Sequence, residues 1–113
     1  MEAHDTRVEV RRLLTMISGK WKLEILWLLS EQVRRFGELR REIPQVTQHT
    51  LTKQLRELES DGLITRKVYA EVPPRVEYAL TDKAQSLRPV FTSLLAWVSA
   101  NAVSANSKST PDR

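Results

Sequence analysis

The strongest constraint on the fold is the pattern of residues 47–81, TQHTLTKQLRELESDGLITRKVYAEVPPRVEYALT. Leu51, Leu55 and Leu58 are spaced four and three residues apart, so a 3.6-residue helix places all three on one side. The opposite side of that helix is polar and carries His49, Lys53, Arg56 and Ser60. A glycine then stops the helix, and two alternating strands flank a Pro-Pro pair. The segment therefore predicts one helix with a core-facing side and an outward polar side, followed by a hairpin.

The composition fits a single globular domain. The chain has 113 residues, of which 41% are hydrophobic, which is enough for one core and small for two. We expect the domain to span residues 1–102, and residues 103–113, rich in serine and asparagine, to form a disordered tail. No apolar run approaches the roughly 20 residues that span a bilayer. The expected location is therefore the cytoplasm, without a membrane partner.

The positive charge of the chain is concentrated in one segment. The formal net charge is +4. Residues 34–56 hold six basic and two acidic residues, whereas the rest of the chain balances at twelve of each. A local basic excess of this kind favours a polyanionic partner such as double-stranded DNA. The alternative is a solvated helix surface with unpaired arginines, and charge alone does not separate the two.

Three further helices are predicted, with more apolar surface than a domain of this size can bury. They cover residues 5–17, 21–29 and 81–100. The second of these helices is apolar on nearly every side. The third is capped by Thr81 and contains Pro89. We expect a second copy of the chain to cover the surplus, which makes the protein a homodimer. The predicted interface residues are Val10, Leu13, Leu14, Ile17, Trp21, Leu94, Trp97 and Val98.

The residues around position 47 predict a helix-turn-helix. A short strand, a brief helix and a tight turn over residues 34–46 precede the helix of residues 47–61. This motif places the first turns of its second helix in the major groove of DNA, where Gln48 suits adenine and Lys53 suits guanine or phosphate. Arg75, in the wing loop of residues 70–75, suits phosphate or the minor groove. The candidate DNA-binding residues are Arg35, Arg40, Arg41, Thr47, Gln48, His49, Thr50, Thr52, Lys53, Arg56 and Arg75.

Catalytic and metal-binding interpretations find little support in the residues. His49 has no serine, cysteine or carboxylate specifically placed beside it. Two histidines, zero cysteines and no HxxxH or HExxH spacing argue against a transition-metal site. Zero cysteines also exclude disulfides and thiol-based sensing. We therefore expect no enzyme activity, no cofactor and no metal.

Several sequence blocks are distinctive as a set. They are SGKWK at residues 18–22, RFGELRR at 35–41, LTKQLRELE at 51–59 and DGLI at 61–64. The most specific block is VYAEVPPRVEY at residues 68–78, followed by Leu80 and Thr81. Together these blocks resemble the HxlR-type winged-helix transcriptional regulators, which are relatives of the broader MarR-like group. The resemblance covers residues 13–97.

The resemblance implies an α+β, mainly α fold: a winged helix-turn-helix with N- and C-terminal dimerisation helices. It implies a homodimeric DNA-binding regulator, more often a repressor, with two recognition helices in successive major grooves. Relatives that resemble thiol sensors carry a cysteine near the N-terminus, and this sequence has none. An unidentified small-molecule effector stays open as a further partner. The alternative to DNA binding is a winged helix that serves only as a protein-interaction module.

Overall fold

The computed structural model describes residues 5–109. Its helices and strands follow in the order α1 (Thr6–Ile17), α2 (Lys22–Glu31), β1 (Arg34–Arg35), α3 (Phe36–Glu42), α4 (Gln48–Ser60), β2 (Ile64–Tyr69), β3 (Arg75–Leu80), α5 (Asp82–Gln85) and α6 (Arg88–Ser109). The fold is the mainly helical winged helix-turn-helix that the sequence predicted, with α3 and α4 as the motif and β2 and β3 as the wing. None of the helices within residues 5–109 is long and apolar enough to cross a bilayer.

Helix α4 is oriented by the three leucines of its apolar side. Leu51, Leu55 and Leu58 are each at most 1% exposed, which confirms the predicted stripe. They join a core to which α2, α3 with its C-cap residue, and β2 contribute fully buried side chains, namely Ile25, Leu26, Leu39, Ile43 and Ile64. Burying one leucine side chain contributes about 1.5–3 kcal/mol. Rotating α4 to expose the stripe would cost several times that amount, so the polar side of α4 faces outward.

The C-terminal end of α4 is closed by a glycine in the left-handed region. Gly62 has a φ of +76°. Its N–H donates to the Glu59 carbonyl and the Leu63 N–H donates to the Leu58 carbonyl, both at 3.0 Å. These two bonds form a Schellman motif, and Leu58 and Leu63, the pair of positions that often makes an apolar contact in this motif, are both buried. The wing therefore leaves α4 at a fixed angle.

The wing is a hairpin attached to a third, short strand. β3 lies between β1 and β2, and both pairings are antiparallel. The register pairs Tyr69 with Arg75 and Arg66 with Tyr78, and directly opposed residues share a face of the sheet. Tyr78 is buried and Arg66 lines a cavity together with residues of α4, so their face packs towards α4. Tyr69 and Arg75 share the opposite, outer face.

The C-terminal region differs from the prediction in two respects. The sequence predicted one helix over residues 81–100, whereas the structure has two, α5 and α6. Pro89 lies in the first turn of α6, where a missing N–H costs no helical hydrogen bond. Helix α6 also continues past residue 100 to Ser109, because alanines favour the helix and the next proline is Pro111. The tail of residues 103–113 stays a prediction, and residues 110–113 lie outside the described residues.

The first and last long helices expose apolar side chains. None of the twelve residues of α1, all of which the structure describes, is buried. The predicted interface residues Val10, Leu13, Leu14, Leu94, Trp97 and Val98 are 47–65% exposed. Ile17 and Trp21 are half-buried against the core instead. The single chain therefore leaves two apolar helix faces uncovered.

We predict that Gly62→Ala lowers the free energy of unfolding by about 1–2 kcal/mol, because an L-residue with a side chain is strained at this positive φ. Urea unfolding at a fixed protein concentration measures this change. Gly37→Ala is the matched control, because Gly37 lies in α3 and a Cβ there would meet only the end of the Arg41 side chain, at 3.8 Å. This control should leave stability unchanged or raise it by less than about 1 kcal/mol. Equal effects of the two substitutions would contradict the assignment of Gly62 as the cap.

Candidate nucleic-acid interface

The first two turns of α4 present polar side chains outward. Of the predicted contact residues here, Thr47, Gln48, His49 and Lys53 are exposed, and Thr50 and Thr52 are half-buried. The helix starts where predicted, because the Thr47 hydroxyl accepts a hydrogen bond from the Thr50 N–H at 3.0 Å. The positive end of the helix dipole lies at the same place and favours an anion. This end of α4 therefore combines donors and acceptors for base edges with a field that attracts phosphate.

Helix α3 places arginines beside the start of α4. Arg35 and Arg41 are exposed, and Arg40 is half-buried with its Nη1 3.4 Å from Gln48 Oε1, a long hydrogen bond. The acidic residue of this stretch, Glu38, is used within α3, since its Oε1 accepts the Arg35 N–H at 2.7 Å. The structure thus places Arg40 of α3 beside the first turn of α4.

One arginine of the basic segment is structural. Arg34 is 7% exposed, and its guanidinium lies 2.8 Å from Glu31 and 2.8 Å from Glu42. Its Nε also donates to the Leu28 carbonyl at 3.3 Å. These bonds connect β1 to α2 and α3, and the two carboxylates compensate the charge. The outward charge of the segment is therefore carried by Arg35, Arg40, Arg41, Lys53 and Arg56.

The wing arginine that we predicted to contact DNA already has partners within the chain. The Arg75 side chain is 27% exposed, with Nη2 3.1 Å from Glu71 Oε2 and Nε 3.7 Å from Glu77 Oε2. Its guanidinium carbon lies 3.8 Å from the centre of the Tyr69 ring. Arg75 consequently differs from the exposed arginines of α3 and α4, because two carboxylates and an aromatic ring surround its charge.

Sequence reasoning overlooked a basic residue on the other face of the wing. Arg66 is exposed on β2 and faces α4, where it lines a cavity of about 190 Å³ with Thr52, Arg56, Glu59 and Tyr78. Glu59 Oε1 lies 3.7 Å from Arg66 Nε. Burial raises the pKa of the Tyr78 phenol, and nearby Glu59 raises it further against the opposing effect of Arg66 and Arg56. Ile64 and Arg66 are two residues apart in a strand, so their side chains point to the same face of the sheet. Because Ile64 is apolar and expected in the core, this spacing is the sequence signal that places Arg66 on the face towards α4.

The rear of α4 is tied to α2 by a buried lysine. Lys22 is 5% exposed, and its Nζ lies 2.8 Å from Glu57 Oε1. The hydrogen bond from Lys22 holds the pKa of Glu57 below its ordinary value, against partial desolvation, and the charges of Lys22 and Lys53 add to the lowering. Gln54 is buried beside Gly19, where an added Cβ would lie 2.0 Å from Gln54 Oε1. Contacts away from the exposed polar side thus hold α4 in place.

The described residues do not bring together a metal site. Within residues 5–109 there is no group of three or more His, Cys, Asp or Glu side chains that could hold a metal ion. His49, the histidine considered as a catalytic base, is exposed on α4. It lies on the outward, polar side of α4, opposite the buried leucines.

The sequence matches a helix-turn-helix family model and curated helix-turn-helix regulators. The family model described as HxlR-like helix-turn-helix matches residues 16–106. An uncharacterized HTH-type transcriptional regulator of Halalkalibacterium halodurans is 54% identical over 85 residues, which cover 74% of this chain and 75% of the relative.

Two solved structures share the fold over most of the chain. The reduced form of the redox regulator HypR is 41% identical, with a TM-score of 0.81, and the match covers 88% of this chain and 99% of that one. A chain from Enterococcus faecalis V583, described as a transcriptional regulator of the MarR family, is 37% identical, with a TM-score of 0.80. That match covers 96% of this chain and 98% of the other.

We predict that the Lys22–Glu57 pair makes stability depend on pH on the acid side. Because the pKa of Glu57 in the folded chain is below its ordinary value of 4.5, the carboxylate stabilises the fold above that pH. This contribution is lost as the pH falls through the lowered pKa. Glu57→Gln should therefore destabilise the chain at about pH 6 and by a smaller amount at about pH 3, as measured by urea unfolding.

The control for this prediction removes the partner. In a Lys22→Met background the pH-dependent difference caused by Glu57→Gln should become much smaller, because only the weaker charge effect of Lys53 still lowers the pKa of Glu57. A loss of stability that is equal at both pH values in the unmodified background would contradict the role of the pair.

Proposed function

The chain belongs to the HxlR-like helix-turn-helix family, as its motifs predicted, and we propose that it is a homodimeric repressor that binds a specific DNA sequence. Its relatives are described as transcriptional regulators rather than enzymes, in agreement with the sequence analysis. The observation that carries the proposal is the division of α4 into a fully buried leucine side and an exposed polar side flanked by the α3 arginines.

In this proposal, α4 enters the major groove with its N-terminal end first. Gln48, His49, Thr52 and Lys53 then face base edges, where an amide can bond adenine at two positions and a lysine can bond guanine. The arginines supply contacts to backbone phosphates, which hold the helix in register without reading sequence. The candidates for these contacts are Arg35, Arg40, Arg41 and Arg56, with Thr47 and the helix start as a further phosphate site.

A second copy of the chain is the occupant that we propose for the exposed apolar faces. Helix α1 buries none of its residues, and α2 and α6 border an apolar groove of about 230 Å³. That groove is lined by Leu23, Trp27, Phe91, Leu94 and Leu95, together with Glu24. Faces of this kind, several helical turns long, are typical of obligate interfaces between subunits. Two recognition helices related by a two-fold axis would meet successive major grooves, about 34 Å apart.

Repression is the sign of regulation that this arrangement favours. A dimer that covers two successive major grooves excludes other proteins from the same DNA. HypR is named a redox regulator, but the present chain has no cysteine, so thiol–disulfide exchange cannot supply its signal. Any effector of this protein must act through non-covalent contacts or through other side chains.

We predict that Lys53→Ala weakens binding to DNA selected from random duplexes by about 1–3 kcal/mol. The slope of log K against log salt should also become shallower by about 0.9 if Lys53 displaces a counterion. Lys83→Ala is the matched control, because it removes the same charge near the C-terminal end of α4, where Lys83 Nζ lies 3.3 Å from the Asp61 carbonyl. The control should bind as the unmodified chain does. Failure of the unmodified chain to bind any duplex at low salt would exclude the proposed function and favour a protein-interaction module.

We predict that the chain sediments at twice its 13.1 kDa mass at micromolar concentration. Leu94→Glu should shift it to the monomer, because a charge on the α6 face would be buried without a partner in the dimer. Val33→Glu is the control, since Val33 is exposed to the same degree as Leu94 but follows α2 rather than lying on α6. A monomeric unmodified chain, or a dimer that survives Leu94→Glu, would contradict the proposed interface.

A further inference from the structure

The side chain of Arg75 contacts an aromatic ring and two carboxylates of the wing. Its guanidinium stacks on the Tyr69 ring, with the guanidinium carbon 3.8 Å from the ring centre. This cation–π contact is favourable because the guanidinium is planar and positively charged. The guanidinium also forms ion pairs with Glu71 at 3.1 Å and Glu77 at 3.7 Å. We refer to Tyr69, Glu71, Arg75 and Glu77 as the wing clamp.

The wing clamp lies at the open end of the hairpin, where Tyr69 and Arg75 form the last residue pair of the β2–β3 ladder. Tyr69 ends β2, Glu71 lies within the connecting loop and Arg75 begins β3. The loop contains Pro73 and Pro74, which have no N–H to donate to a ladder. Stacking and ion pairing by Arg75 therefore hold the loop where backbone hydrogen bonds between strands end.

The same contacts make Arg75 a poor phosphate ligand. Two carboxylates lie within 4 Å of its guanidinium, so a phosphate that approached this group would also approach Glu71 and Glu77. Arg41, by contrast, is exposed on α3, and among the described contacts no carboxylate is paired with it. Arg41 is thus accessible to a phosphate and has no paired carboxylate among the described contacts, whereas Arg75 is surrounded by two carboxylates.

We propose that Arg75 is a positioning residue, which sets the direction of the wing loop for DNA without contacting phosphate. The inference rests on the proposed function and deepens it by dividing the basic residues into contacts and supports. A loop held in its bound direction before DNA arrives loses less conformational freedom on binding. Val72, fully exposed at the loop, is the side chain that the clamp presents outward.

The test compares salt titrations on one selected duplex for the unmodified chain and for Arg75→Ala, Tyr69→Leu, the double variant and Arg41→Ala. Arg75→Ala and Tyr69→Leu should each weaken binding by about 3- to 10-fold, the range expected when one ordered side chain becomes free. Neither should change the slope of log K against log salt, whereas Arg41→Ala should reduce its magnitude by about 0.9. The double variant should bind about as well as Arg75→Ala, since the two residues act as one unit.

A conservative variant separates positioning from phosphate contact. Arg75→Lys keeps the charge but lacks the planar fork that stacks on Tyr69 and pairs with two carboxylates. It should bind as weakly as Arg75→Ala, because lysine cannot rebuild the clamp. A phosphate contact would instead accept lysine with little loss of affinity. Hydroxyl-radical footprints should lose protection only at the flanks of the site in both variants, with the centre still protected by α4.

Three results would overturn the inference while leaving the proposed function in place. They are a slope reduced by about 0.9 in Arg75→Ala, full affinity in Arg75→Lys, and unchanged affinity in Tyr69→Leu. Failure of the unmodified chain to bind any duplex would instead overturn the proposed function, and this inference with it.

Discussion

The burial of one leucine stripe decides which side of α4 the rest of the protein can use. Leu51, Leu55 and Leu58 are almost fully inaccessible, so the rotation of the helix about its axis is set by the core. The residues on the opposite side of α4 therefore face outward. The core therefore does two things at once, since it stabilises the domain and aims the polar side of α4 at a partner.

Ionic contacts divide the basic residues into two groups. Lys22 and Arg34 are buried and paired with carboxylates, and they tie α4 and β1 to the helices behind them. Ion pairs of this kind are costly to break from one side, because the remaining charge is left without a partner. Arg35, Arg41, Lys53 and Arg56 are exposed, and Arg40 is half-buried. The net charge of +4 equals the excess of basic over acidic residues within residues 34–56, which include these side chains.

Much of this arrangement could be predicted from the sequence, because it depends on local period and on caps. The leucine stripe, the Thr47 cap and the glycine stop each involve residues only a few positions apart, and all three are present. The prediction of one helix over residues 81–100 is wrong at Pro89, because a proline is best tolerated in the first turn of a helix and here lies in the first turn of α6. The predicted helix also ends too early, because the alanines among the serines and asparagines favour helix beyond residue 100.

Other features depend on distant residues and have no local signal. The partnership of Lys22 with Glu57 spans two helices, and the wing clamp requires the strand register before Arg75 can be placed opposite Tyr69. Arginines therefore look equivalent in a sequence although their surroundings differ.

The most direct test of the account is to select bound sequences from random DNA with the unmodified chain and with Gln48→Ala in parallel. We expect a two-fold symmetric motif with half-site centres about 10 base pairs apart. Gln48→Ala should lose the base preference at one position in each half-site and keep the spacing. No enriched motif, or an identical motif for both proteins, would contradict the placement of the polar side of α4 against DNA bases.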